Sequence, residues 1–188
     1  MRRSALLIAA IGLLGGCSDA PSGTEAETGV QLDRARATEQ RGLAAVRAAT
    51  ARFHRFDVAD EEGYDFLFLN TCMVDESPDD LGGMGYHYVN LDLLNDGEVS
   101  IATPEAVLYE PGPNGQLRLV ALEYVIPKSG WTAPDPPVLL GQEFTLNAFD
   151  LWALHVWVWK HNPSGMYADW NPNVNCDNAA TVSNGAHH

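Results

Sequence analysis

Hydrophobic residues recur at helical spacing in the first third of the chain and at alternate positions beyond it. From about Leu32 the spacing i, i+4, i+7 predicts one amphipathic helix that runs to about Val58. Its apolar stripe comprises Gly42, Val46, Ala49, Phe53 and Phe56. Because the stripe is small at its start and aromatic at its end, we expect the helix to lie close against a sheet and to close an opening with its Phe53 end.

The period changes to two after residue 63, and short runs alternate with turn residues. The strand-like runs are residues 64–70, 84–91, 106–110, 117–126, 138–145 and 152–160. Asn114 and Gly115 favour a tight hairpin between the third and fourth runs. This order predicts an α+β fold, an N-terminal helix packed on a curved antiparallel sheet of five or six strands. A small antiparallel β-barrel is the alternative.

The first residues have the pattern of an export signal. Arg2 and Arg3 precede an apolar run over residues 5–14, which ends in Leu14-Gly15-Gly16-Cys17. The run is too short to cross a bilayer, which takes about 20 residues. The motif resembles the lipobox of bacterial lipoproteins, and the resemblance implies that Cys17 carries lipid, including palmitate. An ordinary cleaved secretory signal with an incidental cysteine is the alternative.

The same resemblance implies where the mature protein lies. Because Ser18 rather than Asp follows Cys17, it implies export to the periplasm and anchoring in the outer membrane of a Gram-negative cell. Small and polar residues after Cys17 are typical of a flexible linker. We therefore expect a signal peptide over residues 1–16, a lipidated flexible tether over 17–31, a single globular domain over 32–178 and a disordered tail over 179–188.

Charge narrows the range of partners. The 188 residues include 11 Lys and Arg against 25 Asp and Glu, a formal net charge of −14. Removal of residues 1–16 takes away two arginines and no acid, which makes the mature chain more acidic still. Such a chain attracts neither nucleic acid nor anionic lipid surfaces. The predicted partners are therefore a lipid bilayer, through the Cys17 anchor, and a small-molecule ligand.

Cysteine parity predicts one disulfide. The chain has three cysteines, and assignment of Cys17 to lipid leaves Cys72 and Cys176 as an even pair in an exported protein. The alternative is a nucleophilic or metal-binding cysteine, but neither residue sits in a CxxC motif or beside a histidine.

Two stretches, residues 82–90 and 154–176, combine glycines, aromatic residues and histidines in a way that suits a binding site. In a strand, His155, Trp157 and Trp159 share one face, opposite an aliphatic face. Two adjacent indoles on one face need a cover, which is either the helix or a ligand. The predicted pocket residues are Met84, Tyr86, Trp157 and Trp159.

His87, Glu123 and His155 each lie in a run that is otherwise apolar or aromatic. Burial without a partner costs about 1–3 kcal/mol for each polar group, so we expect the three to converge. Two imidazoles and a carboxylate are a recognised ligand set for non-haem iron, and for zinc with an open position. Met84 adds a thioether that suits copper, so Zn, Fe and Cu are the candidate cofactors. A hydrogen-bonded structural cluster is the alternative.

The mature domain also resembles an uncharacterised family of secreted bacterial proteins. The shared elements are GMGYHY over residues 83–88 and HVWVW over 155–159, followed by NP and WNP. The resemblance implies that the two stretches belong to one site, and it implies no activity or catalytic residue. Three functions stay open: a lipoprotein that binds a small ligand or transition metal in the pocket, a metal-assisted or acid–base enzyme that uses the same pocket, and a structural or interaction lipoprotein without a pocket.

Overall fold

The computed structural model describes residues 23–179, with side chains described from Thr28 onward. The α-helices of this range are α1 Gly23–Thr50, α2 Phe56–Glu61 and α3 Leu91–Leu94. Single 3₁₀ turns lie at Ala51–His54, Phe68–Asn70 and Lys128–Gly130. The chain divides into one compact unit that ends at Arg34 and a second that begins at Ala35. The second unit contains every strand of the described range.

The strands form an open antiparallel sheet. They are β1 Phe66–Leu67, β2 Met73–Val74, β3 Gly83–Val89, β4 Ala106–Pro111, β5 Leu117–Pro127, β6 Val138–Leu139, β7 Gln142–Glu143, β8 Thr145–Leu146 and β9 Leu151–Val156. Seven of them make one sheet in the order β1-β3-β4-β5-β9-β8, with β2 paired to β3, while β6 and β7 pair separately. The helix and antiparallel sheet confirm the predicted α+β fold, and the β-barrel alternative is wrong.

One face of the sheet packs against the helical segment after Ala35. Val46 and Phe53 are fully buried there, and the Tyr109 hydroxyl donates to the Phe53 carbonyl at 2.7 Å. The expected single helix is interrupted, because Arg55 is extended (φ −97°, ψ 110°) between the 3₁₀ turn and α2. At its other end α1 already begins at Gly23, within the segment that was expected to be a flexible tether.

The opposite face of the sheet has its own apolar core. Its buried members are Val89, Ala106, Leu108, Val120, Ala121, Trp157 and Val174. The C-terminal segment covers part of this face through Val174 and through Asn171, which exchanges two backbone hydrogen bonds of 3.1 Å with Gly83. The sheet is therefore buried on both sides, and the helix covers only one of them.

Three predicted strands are shorter than expected. The run 64–70 contains only β1, because Leu69 and Asn70 have φ of 54° and 51°, which an extended strand excludes. The run 138–145 forms the short strands β6, β7 and β8, since Leu140 and Gly141 also have positive φ. The run 152–160 ends at Val156, where the chain turns.

A disulfide joins Cys72 to Cys176 across 104 residues, with their Cα atoms 5.9 Å apart. This confirms the predicted pair. Together with the contacts between Gly83 and Asn171, it holds the C-terminal segment against β2 and β3. No helix among the described residues is both long and apolar enough to cross a membrane. The signal peptide, Cys17 and the last nine residues lie outside the described residues.

Candidate metal centre

His87, Glu123 and His155 lie on three strands of the sheet. Glu123 of β5 and His155 of β9 are direct register partners, so their side chains leave the same face side by side. His87 is on β3, and β4 separates it from Glu123. The β4 residue opposite Glu123 is Ala106, whose methyl group leaves room for His87 to reach across the strand. Sequence periodicity therefore identified a set that the fold does bring together.

The separations within this triad are longer than hydrogen bonds. His87 Nε2 lies 3.7 Å from Glu123 Oε2, and His155 Nε2 lies 3.6 Å from Glu123 Oε1. One ligand atom from each residue falls within 4.8 Å of the others. Hydrogen bonds of this kind measure about 2.7–3.2 Å. Bonds of about 2.0–2.2 Å to a shared ion place neighbouring ligand atoms about 3.0–3.5 Å apart. The pairs at 3.6 and 3.7 Å are close to this spacing, while a separation of 4.8 Å must shorten by about 1.3 Å to admit an ion.

The triad is buried, and three of its four imidazole nitrogens lack a hydrogen-bond partner among the described residues. His87, Glu123 and His155 are 3%, 8% and 4% exposed. No described residue makes a hydrogen bond to His87 Nδ1 or to either ring nitrogen of His155. An unpaired buried polar group costs about 1–3 kcal/mol. These unpaired nitrogens therefore destabilise the fold unless a bound ion or ligand contacts them.

Asp169 is a fourth member that the sequence did not reveal. Its Oδ1 lies 3.4 Å from His155 Nδ1, on the side of the ring away from Glu123, and its side chain is 59% exposed. A carboxylate behind a histidine orients the ring and increases its basicity toward a metal. The only sequence signal is an acid within the stretch 154–176. Its return to the sheet depends on distant contacts such as the donation from Asn162 Nδ2 to the Trp170 carbonyl at 2.9 Å.

The surroundings shift the three pKa values in different directions. Burial, reinforced by the neighbouring His155, lowers the pKa of His87 to about 3. Burial also lowers the pKa of His155, but the carboxylates of Glu123 and Asp169 outweigh it and raise that pKa overall. Burial raises the pKa of Glu123, against the attraction of His155. His87 is therefore a neutral imidazole with a lone pair available for a metal.

Of the two pocket residues predicted in β3, the structure places Met84 in the cavity and Tyr86 elsewhere. Gly85 has φ +92°, and this kink breaks the alternation of side chains so that Met84 shares the face of His87. Tyr86 belongs to the helix-side core, and its hydroxyl donates to the Ala179 carbonyl at 3.0 Å. Tyr86 therefore does not line this cavity.

Neither predicted tryptophan lines the cavity. Trp157 stacks on the imidazole of His155, with ring centroids 6.4 Å apart, and donates from Nε1 to the Ala168 carbonyl. It therefore packs against a member of the triad without lining the cavity. The turn after β9 sends Trp159 to the other face, where its Nε1 donates to Thr50 Oγ1 at 3.2 Å. A straight strand would have kept both indoles beside His155. Neither indole is among the residues that line this cavity.

The triad and Asp169 line one end of a cavity of about 520 Å³. The helix was expected to close an opening with its Phe53 end, but Phe53 lies in the core on the opposite side of the sheet from the cavity. The cavity is instead bounded by the segments around β1, by the loop between β8 and β9, and by Asp169 and Trp170. The site is thus formed on the face that the helix leaves uncovered.

Comparisons with protein-family models, with curated proteins and with solved structures found no match to this chain. No activity follows from likeness, and any functional proposal depends on the residues of the site.

Proposed function

We propose that this protein binds one transition-metal ion through His87, Glu123 and His155. The observation that carries the proposal is a set of three buried side chains whose ligand atoms lie within 4.8 Å of one another, with His155 Nε2 facing Glu123 and making no hydrogen bond to any described residue. Two histidines and a carboxylate leave positions free for water or a ligand. The histidine–carboxylate pair of His155 and Asp169 supports the same assignment.

The alternative of a structural cluster is less well supported by this geometry. A structural set of two histidines and a glutamate satisfies its polar atoms by mutual hydrogen bonds, whereas here the closest contacts are 3.6 and 3.7 Å. An ion between the three groups satisfies the facing nitrogens and the carboxylate together.

The donor set favours Fe²⁺ or Zn²⁺. Two imidazoles with one carboxylate are the ligands of many non-haem iron centres and of zinc centres with an open position. Met84 lines the same cavity and offers a thioether, so Cu⁺ is the third metal to test.

The test measures metal content and affinity in the untagged chain purified without chelators. We expect one ion per chain by elemental analysis, and a Co²⁺-substituted protein with visible absorption bands of a low-coordinate site. His87→Ala, Glu123→Gln and His155→Ala should each abolish tight binding. Asp169→Asn should keep the stoichiometry and weaken affinity by about 10–100-fold, because it removes the carboxylate behind His155.

His161→Ala is the matched control, because His161 is an exposed histidine in the same C-terminal stretch and lies outside the triad. It should bind metal as the parent does. If Glu123→Gln and His161→Ala retain equal affinity, the triad is not the metal site. Thermal unfolding of the metal-free variants separates loss of binding from loss of fold.

A catalytic role is the second candidate, and the specific observation in its favour is the cavity. An ion held by three protein ligands beside a 520 Å³ cavity has open positions that a bound molecule can reach. Such an ion activates water or polarises a carbonyl. Glu123 is then a ligand, and no separate catalytic residue is assigned.

We also propose that the mature chain is exported and is tethered through lipid on Cys17 to the outer membrane of a Gram-negative cell. The signal-like residues 2–17 and the disulfide between Cys72 and Cys176 support this placement. The intact mass of the mature protein should include acyl chains, and Cys17→Ala should move it from the membrane to the soluble fraction. Unchanged fractionation of Cys17→Ala would contradict the tether.

A further inference from the structure

The cavity beside the triad has the size of a small-molecule site. Its volume of about 520 Å³ falls within the range of about 300–1,000 Å³ that ligand pockets occupy. Its charged and imidazole side chains are His87, Glu123, His155 and Asp169, and its wall also includes the polar residues Thr145 and Asn147. Most of the remaining wall is apolar, with Met73, Val89, Leu94, Val125 and Leu151 among its members.

Aromatic side chains form the outer rim of the cavity. Phe66 and Phe149 line it while remaining 43% and 50% exposed. Phe68 lies edge-on to Phe149, with ring centroids 5.1 Å apart, and Trp170 lines the cavity as well. Large apolar rings left half in water at the mouth of a cavity mark a place that a ligand covers.

The backbone at this rim adopts strained conformations. Leu69 and Asn70, directly after Phe68, have φ of 54° and 51°, and Asp150, directly after Phe149, has φ of 55°. Non-glycine residues rarely adopt this region, and those that do cluster at ligand-binding positions. The strain near Phe149 is held by Asn147, whose Oδ1 accepts the amide N–H groups of Phe149 and Leu151.

The charges at the polar end indicate the kind of ligand. Glu123 and Asp169 bring two negative charges, which balance a divalent ion held by neutral imidazoles. A ligand therefore needs no net charge to bind beside the ion. The apolar wall disfavours a charged ligand, because burial of a charge away from water is costly. A single donor group at one end of the molecule is enough to reach an open position on the ion.

We infer that the cavity takes a neutral, mainly apolar small molecule with an aromatic ring and one terminal donor group, which contacts the ion while the ring packs among Phe66, Phe68 and Phe149. This inference rests on the proposed metal site. The aromatic rim selects ligands that carry a ring, a preference that the metal ion alone does not supply.

The test compares two probes that share a metal-binding head, benzohydroxamic acid and acetohydroxamic acid, on the Zn²⁺- or Co²⁺-loaded protein. Burial of the phenyl ring should make benzohydroxamic acid bind about tenfold tighter or more. Phe149→Ala should reduce this ratio toward one. Val138→Ala is the control, because Val138 is exposed and does not line the cavity, and it should leave the ratio unchanged.

Equal affinity of the two hydroxamic acids for a protein that binds Co²⁺ would overturn the inference and leave the metal site intact. Failure to bind Co²⁺ would overturn the metal site, and the cavity is then tested with N-phenyl-1-naphthylamine, a neutral apolar fluorophore, on the metal-free protein. Fluorescence enhancement that Phe149→Ala removes supports the apolar cavity. Its absence overturns the inference as well.

Discussion

Glu105 is the second carboxylic acid buried in this sheet, and it lies outside the triad. It is 2% exposed, directly before β4, and its Oε2 accepts the Val125 amide N–H at 2.8 Å. This bond satisfies a donor of β5 beyond the end of its partner strand β4. Burial raises the pKa of Glu105 to about 8. The side chain is therefore protonated in the folded protein at neutral pH.

Glu105 should make the protein less stable as pH rises. Between its ordinary pKa of 4.5 and about 8, the folded state holds a proton that the unfolded state has lost. Folding takes up a proton in this window, so the free energy of unfolding falls with increasing pH, by at most about 1.4 kcal/mol per pH unit. Urea unfolding of the metal-free protein across this window measures the slope, and Glu105→Gln should flatten it.

Glu98→Gln, at an exposed glutamate of the preceding loop, is the control and should leave the slope as in the parent chain. If Glu105→Gln keeps the full slope, another buried group carries it.

At the scale of elements, the kink at Gly85 decides which side chains of β3 face the site. A Cβ at this position would lie 2.5 Å from the Tyr109 carbonyl oxygen, and φ is +92°. A strained backbone alone costs about 1–3 kcal/mol. Because Gly85→Ala adds a clash with the Tyr109 carbonyl to this strain, it should lower the free energy of unfolding by more than that amount. Denaturant unfolding measures the change.

Gly97 offers a matched control for this change, because its φ is +78° and a Cβ there meets nothing within 4 Å. Gly97→Ala reports the conformational strain without the clash. If the two alanine variants are equally stable, the close approach of β4 to Gly85 contributes nothing.

The same elements show what the sequence could predict. Regular alternation located His87, Glu123 and His155, because a polar residue in an apolar run differs from all its neighbours in the sequence. Alternation failed where the backbone departs from it, after Val156, and so Trp159 was placed on the wrong face. Asp169 is in a loop, where no period assigns a face, and its position depends on contacts made far away in sequence.

For the whole molecule, the disulfide should be a major source of stability. It closes a loop across 104 residues, which the chain-entropy model values at about 4–5 kcal/mol. The double variant Cys72→Ser/Cys176→Ser should unfold at lower urea concentration, yet keep one bound ion, because β3, β5 and β9 supply the triad without the tail. An unchanged unfolding midpoint would show that the link adds no stability.

The two faces of the sheet explain why the whole arrangement was only partly predictable. The expected α+β fold required one apolar face for the helix, and Val46 and Phe53 do pack there. A second buried face, covered by Val174 and the C-terminal segment, was not expected, because that segment has no regular period. The helix was therefore expected to close an opening with its Phe53 end, although the triad and its cavity lie on the other face of the sheet.

The spread of the triad over β3, β5 and β9 has a consequence for how the protein is made. Residues 87, 123 and 155 come together only after the central strands have paired, so neither a nascent chain nor a fragment that lacks β9 presents three ligands. A metal ion then does not template folding, as it does in small zinc domains. It stabilises the folded state only after the three strands have paired. Bound metal would report that the last long strand has reached its place, and a chain stalled before that step would remain apo.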